Sequence, residues 1–309
     1  MRKTLVVITA FVLSSTIALA QEITLSPKLR EGDEFRLEIS RIRTNSARPQ
    51  QNGKSRTMVD VRVVSATAKG FELDWVQGET QLDNPLAAKD PLILAAAQAV
   101  RDIRFRLKLN AEGELEGLGN QAEVVPKLQA IMDAIGKEMA ARLPAEQRKA
   151  FEGFIAQVLS PGVLIASATR EAEIYFGLNG VALSEKETLE ADMQVPSPVG
   201  GGVLPATFRV LMESANPESA SLKTTTIYDP QAILRMTHAL AQQAGISIPA
   251  EELAKTPAMK VDDDGKYFFD RRLGLMREVI VDRRISAGDM RRHDGWEIRL
   301  VNGPTIAKR

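Results

Sequence analysis

The chain has 309 residues, with 40 Lys+Arg against 40 Asp+Glu, two histidines and no cysteine. The even charge balance provides no long-range field for nucleic acid or an anionic membrane surface, and the missing cysteines exclude disulfides, thiol nucleophiles and cysteine-held metals. With only His238 and His293 available, histidine-based chemistry has little to work with.

Arg2 and Lys3 precede an apolar stretch from Leu5 to Leu13, and Ala18–Leu19–Ala20 follows as a small-x-small cleavage site. This is the layout of a secretory signal peptide over residues 1–20, with Gln21 as the new N-terminus. The expected address is therefore periplasmic or secreted. The apolar run is too short for a permanent span, so no membrane span is expected after cleavage. The remaining chain, 21–309, is long enough for one large domain.

Strands open the mature chain. Phe35, Leu37 and Ile39 alternate with Arg36, Glu38 and Ser40; Val59, Val61 and Val63 alternate with Asp60 and Arg62; Phe71, Leu73 and Trp75 alternate with Glu72 and Asp74. A period of two marks half-buried strands. The polar stretch 43–56 reads as a flexible hairpin loop, and the three strands as an antiparallel meander. Pro91 opens a short alanine-rich helix over 91–99. Phe105, Leu107 and Leu109 form the clearest strand, which turns at Asn110–Gly113 and returns over Glu114–Leu118.

Helices follow. Val125, Leu128, Ile131, Met132, Ile135 and Met139 recur at helical spacing over 125–143, and Phe151, Phe154, Ile155, Val158 and Leu159 over 146–159. Ser160–Pro161–Gly162 is expected to end that second helix. Residues 163–180 are apolar and fit neither period cleanly. Strands resume at 189–195, 207–213 and 221–228. Asp229–Pro230 caps a helix over 230–244, and residues 249–256 suit a short helix. A last sheet segment runs from Met259 to Val301, with tight turns expected at Asp263–Asp264–Gly265 and His293–Asp294–Gly295. Each half of the chain shows strands followed by helices, about 21–160 and 161–309, which suggests two similar halves.

One-sided strands need an apolar cover, and the helices have one apolar stripe each. The expected fold class is α+β, a curved antiparallel sheet covered by amphipathic helices. If the helices leave part of the apolar side open, a ligand cavity results.

That outline is similar to the half-barrel carriers of lipids and lipoproteins of the bacterial periplasm. The segments Gly32–Asp33–Glu34–Phe35, Leu109–Asn110–Ala111–Glu112–Gly113 and Pro196–Pro205 resemble those of uncharacterised exported bacterial proteins. The resemblance implies a bent sheet with helices over it and transfers no functional residue.

No catalytic residue, metal ligand or cofactor is expected. The glycines Gly200, Gly201 and Gly202 permit close backbone approach or a mobile lid, and with Trp75 they are the candidate ligand-binding residues. The loop lacks the Lys–Ser/Thr ending of a phosphate cradle. Asp262–Asp263–Asp264–Gly265 fails the calcium-loop pattern, since position twelve is Leu273, and reads as a turn. Arg104, Arg106 and Lys108, and the C-terminal arginines Arg271, Arg272, Arg277, Arg283, Arg284, Arg291 and Arg292, read as a solvated outer face. Trp296 shares a face with Ile298 and Leu300.

The functional expectation is a non-enzymatic exported protein that binds an apolar small molecule, a lipid or an envelope protein, with no nucleic-acid partner. The alternatives are a hydrolase using paired carboxylates such as Asp74, Glu79 or Asp264, and a structural or assembly factor.

Overall fold

A computed structural model describes residues 22–148, 161–197, 203–243 and 259–306. Two meanders of strands make one open sheet. The first is β2 (Asp33–Asn45), β3 (Gly53–Thr67), β4 (Gly70–Leu82), β5 (Arg104–Asn110) and β6 (Leu115–Leu118). The second is β8 (Thr188–Pro196), β9 (Val203–Ala215), β10 (Ser219–Tyr228), β11 (Lys260–Asp270), β12 (Leu275–Ala287) and β13 (Met290–Ile306). The order is β6-β5-β4-β3-β2-β13-β12-β11-β10-β9-β8, antiparallel throughout. The seam is the pairing of β2 with β13, so the first strand of this sheet is completed only by the last. Strand order runs the same way in both meanders. A separate ladder joins β1 (Ile23–Thr24) to β7 (Ala182–Leu183).

The alternation seen in the sequence sorts the faces. Phe35, Leu37, Ile39, Val59, Val61, Val63, Leu73, Trp75, Phe105, Leu107 and Leu109 are all buried on the inner side. The outer side holds cross-strand ion pairs such as Arg36–Asp60, Arg299–Glu278 and Arg209–Glu190. Solvated pairs of this kind contribute about 0–1 kcal/mol each. Their larger effect is to keep a long sheet from stacking on its neighbours.

Among the described residues the α-helices are α1 (Pro91–Ala97), α2 (Gln121–Ala141), α3 (Pro161–Phe176) and α4 (Pro230–Gln243), with a further helical turn at 145–148. Asp90 caps α1 by accepting from the Leu92 amide. The stripe Val124, Leu128 and Ile135 buries α2. The central element is α3, over the stretch whose periodicity was ambiguous. Pro161 and Gly162, expected to end the preceding helix, are the first described residues of this one, and the stretch before them lies outside the described residues. Leu164, Ala168, Ala172 and Tyr175 face the sheet at spacings of three and four. Tyr175 donates from Oη to the Met276 carbonyl on β12 at 2.7 Å, while Phe176 meets Trp75 on β4 edge-on at 6.4 Å between ring centres. Strands β4 and β12 are four spacings apart, about 19 Å along a flat sheet. Adjacent side chains of one helix reach both, so the sheet bends round the end of α3. Burial raises the Tyr175 pKa.

Three local expectations change. The polar loop 43–56 shrinks to 46–52, since β2 and β3 pair as far as Arg43 opposite Gly53. Asp263–Asp264–Gly265 and His293–Asp294–Gly295 are not turns but mid-strand residues of β11 and β13. Cross-strand arginines neutralise these aspartates, and that outweighs their turn preference. The true turns are 271–274 and 288–289, where Gly274 and Gly288 have positive φ. The expected helices 146–159, apart from the described turn at 145–148, and 249–256, the signal segment and Gly200–Gly202 lie outside the described residues.

Candidate ligand-binding site

The inner face carries two apolar clusters. One joins α2 and α3 to β2–β5 and to the near parts of β9–β13. The other comprises Leu204, Ala206, Tyr228, Ala232, Ile233, Val261 and Ile285, flanked by Met236, Met259 and Met290. A polar rung runs between them. In cross-strand register it reads Arg43, Asp294, Arg283, Asp263 and Thr226, from β2 to β10. The next rung toward the first cluster reads Arg41, Trp296, Val281, Gly265 and Thr224. Gly265 leaves room there for its neighbours: a Cβ would lie 2.3 Å from Thr224 Oγ1 and 2.8 Å from Tyr267 Cε2.

Charges alternate along the polar rung because each strand offers a partner to the next. Arg283 donates from Nε to Asp263 at 2.8 Å and from Nη2 to Tyr228 Oη at 3.0 Å. Tyr228 in turn donates to Asp263 Oδ2 at 2.6 Å. The side chains of Arg283 and Asp263 are 13% and 11% exposed. Burial, then the adjacent Asp263, raises the Tyr228 pKa, so this hydroxyl stays protonated. Asp294 is shared by Arg43 at 2.8 Å and Arg292 at 2.7 Å.

Helix α3 adds two charged residues over this region. Glu171 is buried and binds Arg41 Nη2 at 2.8 Å. The Arg170 guanidinium lies 4.5 Å above the centre of the Trp296 ring. Their partners Arg41 and Trp296 line a groove of about 280 Å³, together with Arg43, Asp294, Ala87 and Ile93 among others. Further along the same face, Leu189 and Met193 on β8 are 45% and 43% exposed. Their register partners are the buried Val210 and Ala206, so the apolar side of the sheet is not fully covered at this edge. A wider groove of about 580 Å³ at that end is lined by Met193, Ala206, Tyr228 and Asp229.

The sequence candidates fall elsewhere. Trp75 is 1% exposed and packs under Phe176 in the first cluster; it lines neither groove, and its buried Nε1 has no hydrogen-bond partner. Asp74 pairs with Arg104 and Arg106, Glu79 with Arg101, and Asp264 with Arg284. His238 is half-buried on α4. His293 Nε2 lies 2.6 Å from Asp282. Arg283 and Arg292 do not belong to a solvated outer face: both point inward. Sequence reasoning also missed Arg170 and Glu171, whose signal was the Leu164–Ala168–Ala172 spacing that places α3 on the sheet. Among the described residues no three His, Cys, Asp or Glu side chains gather where they could hold a metal, and no helix is long and apolar enough to cross a membrane.

No family model matches the chain, and no curated protein matches it. Among solved structures it is similar to a chain described as "Lipid-protein interactions in lipovitellin", with a TM-score of 0.43 and 8% identity, over 91% of this chain and 26% of that one. This chain therefore spans about a quarter of that protein's length, and a likeness at this level carries no argument.

Proposed function

We propose that the protein is an exported, non-enzymatic carrier that holds an apolar ligand against the helix-covered face of its sheet. The observation that supports this reading is the incomplete cover of that face. Leu189 and Met193 stand open on the side where their neighbours are buried, and the groove at Trp296 is lined in part by Ile93, which is 45% exposed. Apolar surface left open beside a core favours an occupant that removes it from water. The candidate carboxylates of the hydrolase alternative are each engaged by arginine, which leaves no observation in favour of that reading.

The test is native mass spectrometry and solvent extraction of protein purified from the cell envelope, followed by titration of the stripped protein with N-phenyl-1-naphthylamine. A co-purifying amphiphile and saturable uptake of the dye are expected. Ligand-free protein that also fails to take up the dye would remove the carrier reading. Fractionation that finds the protein in the cytoplasm would remove its exported address.

A further inference from the structure

We propose that the groove beside Trp296 binds the anionic head of an amphiphile, an oxyanion such as phosphate or carboxylate joined to an apolar chain, at Arg41 and Arg43 on its lining and Arg170 stacked on the Trp296 ring. This deepens the carrier reading and rests on it.

One cation on this face has no carboxylate partner. Four inner-face arginines have carboxylates: Arg41 has Glu171, Arg283 has Asp263, and Arg43 and Arg292 share Asp294. Arg170 has none. No carboxylate oxygen of the described residues lies within 4 Å of it; Glu171, Asp263 and Asp294 act on it only from farther away, and its close contact is the face of Trp296. A guanidinium has five donors and stays charged, so one half-buried without a hydrogen-bond acceptor, as Arg170 is, is unfavourable. Burial, then the neighbouring Arg283, lowers the Arg170 pKa from the usual arginine value. An indole ring beneath a guanidinium compensates in part and leaves the in-plane N–H groups free to donate.

The charge count agrees. Among the described residues five guanidiniums meet three carboxylates in this region, an excess of two positive charges. The excess lies where a ligand can reach it, because the Arg41 and Arg43 side chains are 44% and 61% exposed and line the groove. Arg41 stands directly opposite Trp296 in the β2–β13 register, so Arg41 and Arg170 both neighbour the indole. Planar guanidiniums are suited to oxyanions, which they bind through paired N–H groups. Glu171 is the opposing charge. Arg41 holds its Oε1, and its buried Oε2 has no donor; a singly protonated phosphate would supply one. Ile93 and Ala87 on the groove's other wall provide the apolar contact that a bare anion would not use.

Calorimetric titration separates the possibilities. Stripped protein is titrated with monodecyl phosphate, 1-decanol and inorganic phosphate, as wild type, Arg170→Met, Arg43→Gln and the outer-face control Arg284→Met. Monodecyl phosphate is expected to bind about tenfold or more tighter than decanol, and Arg170→Met to remove about tenfold of that affinity. Arg43→Gln should act in the same direction, and decanol binding and the Arg284→Met control should not change. In wild type, raising salt from about 0.05 to about 0.5 M should weaken the phosphate ester alone; this reading needs no variant to fold. Equal binding of ester and alcohol, or no effect of salt and of both Arg170→Met and Arg43→Gln, overturns the head-group site and leaves the carrier reading standing. Failure of both alkyl probes defeats the carrier reading itself. Inorganic phosphate binding as tightly as the ester would mean a free-anion site and overturn the amphiphile assignment.

Discussion

Replacing Arg283 with methionine tests whether the rung between the two apolar clusters is held by charge pairing. Arg283 is the only described cation bound to Asp263, through Nε at 2.8 Å and a second bond from Nη2, and the Asp263 side chain is 11% exposed. Methionine keeps most of the volume and removes the charge. Asp263 then retains only the hydroxyl of Tyr228. Breaking a buried pair by removing one partner costs about 3–5 kcal/mol. The low end, about 3 kcal/mol, applies here, because the Tyr228 bond survives and the carboxylate keeps some solvent. For a chain of this size the midpoint of thermal unfolding should fall by about 6–12 °C, at about 2–4 °C per kcal/mol. The assays are thermal unfolding and urea denaturation, both followed by circular dichroism. Adding Asp263→Leu should recover at least half of the loss, since an apolar pair of similar volume is nearly neutral, although Tyr228 then loses its acceptor at about 1 kcal/mol. A single variant that loses less than about 1 kcal/mol, or a double variant less stable than the single, would refute the reasoning.

Asp270 gives the pH-dependent case. It is buried at the β11–β12 turn, and although burial pushes its pKa up, bonds from Arg277 and the amides of Leu273 and Arg272 outweigh that and hold it below the usual value. Its contribution is therefore present above the unfolded carboxylate pKa, about 4, and is lost as pH falls through the lower folded value. Asp270→Asn should lower stability at pH 7 and flatten the decline below about pH 4; an unchanged acid limb in urea titrations would contradict this. Gly70 has φ +139, and a Cβ there would lie 2.1 Å from the Leu109 carbonyl oxygen. Gly70→Ala should cost about 3 kcal/mol by straining the turn and forcing β4 from β5, and a cost below about 1 kcal/mol in the same denaturation assay would contradict it.

The strands were legible because one face of each is wet. Phe35, Leu37 and Ile39, or Phe105, Leu107 and Leu109, alternate with charge as a half-buried sheet demands. The helix over the sheet was not legible, because α3 presents small and polar residues, Ala168, Thr169, Glu171 and Ala172, to the core. Close approach to a bent sheet needs small side chains, and these blur a hydrophobic stripe. The polar rung was hidden for a different reason. Asp263–Asp264–Gly265 carries the local chemistry of a turn, and only the arginines opposite, Arg283 and Arg284, make it a strand. Arg283 and Arg284 are neighbours in sequence, yet the pleat sends one to the core and the other to solvent. Net charge near zero likewise conceals a local excess of guanidinium on one face. The candidate site is thus a product of register, which no single segment specifies.

The central claim is that an apolar chain lies in the groove beside Trp296. The chain has two tryptophans, Trp75 and Trp296, so Trp75→Phe leaves a single reporter. Titration of that variant with 11-bromo-1-undecanol should quench Trp296 emission saturably, and unlabelled undecanol should reverse the quenching. Emission that stays unquenched while the alcohol demonstrably binds, or quenching that rises linearly without saturation, would contradict the account.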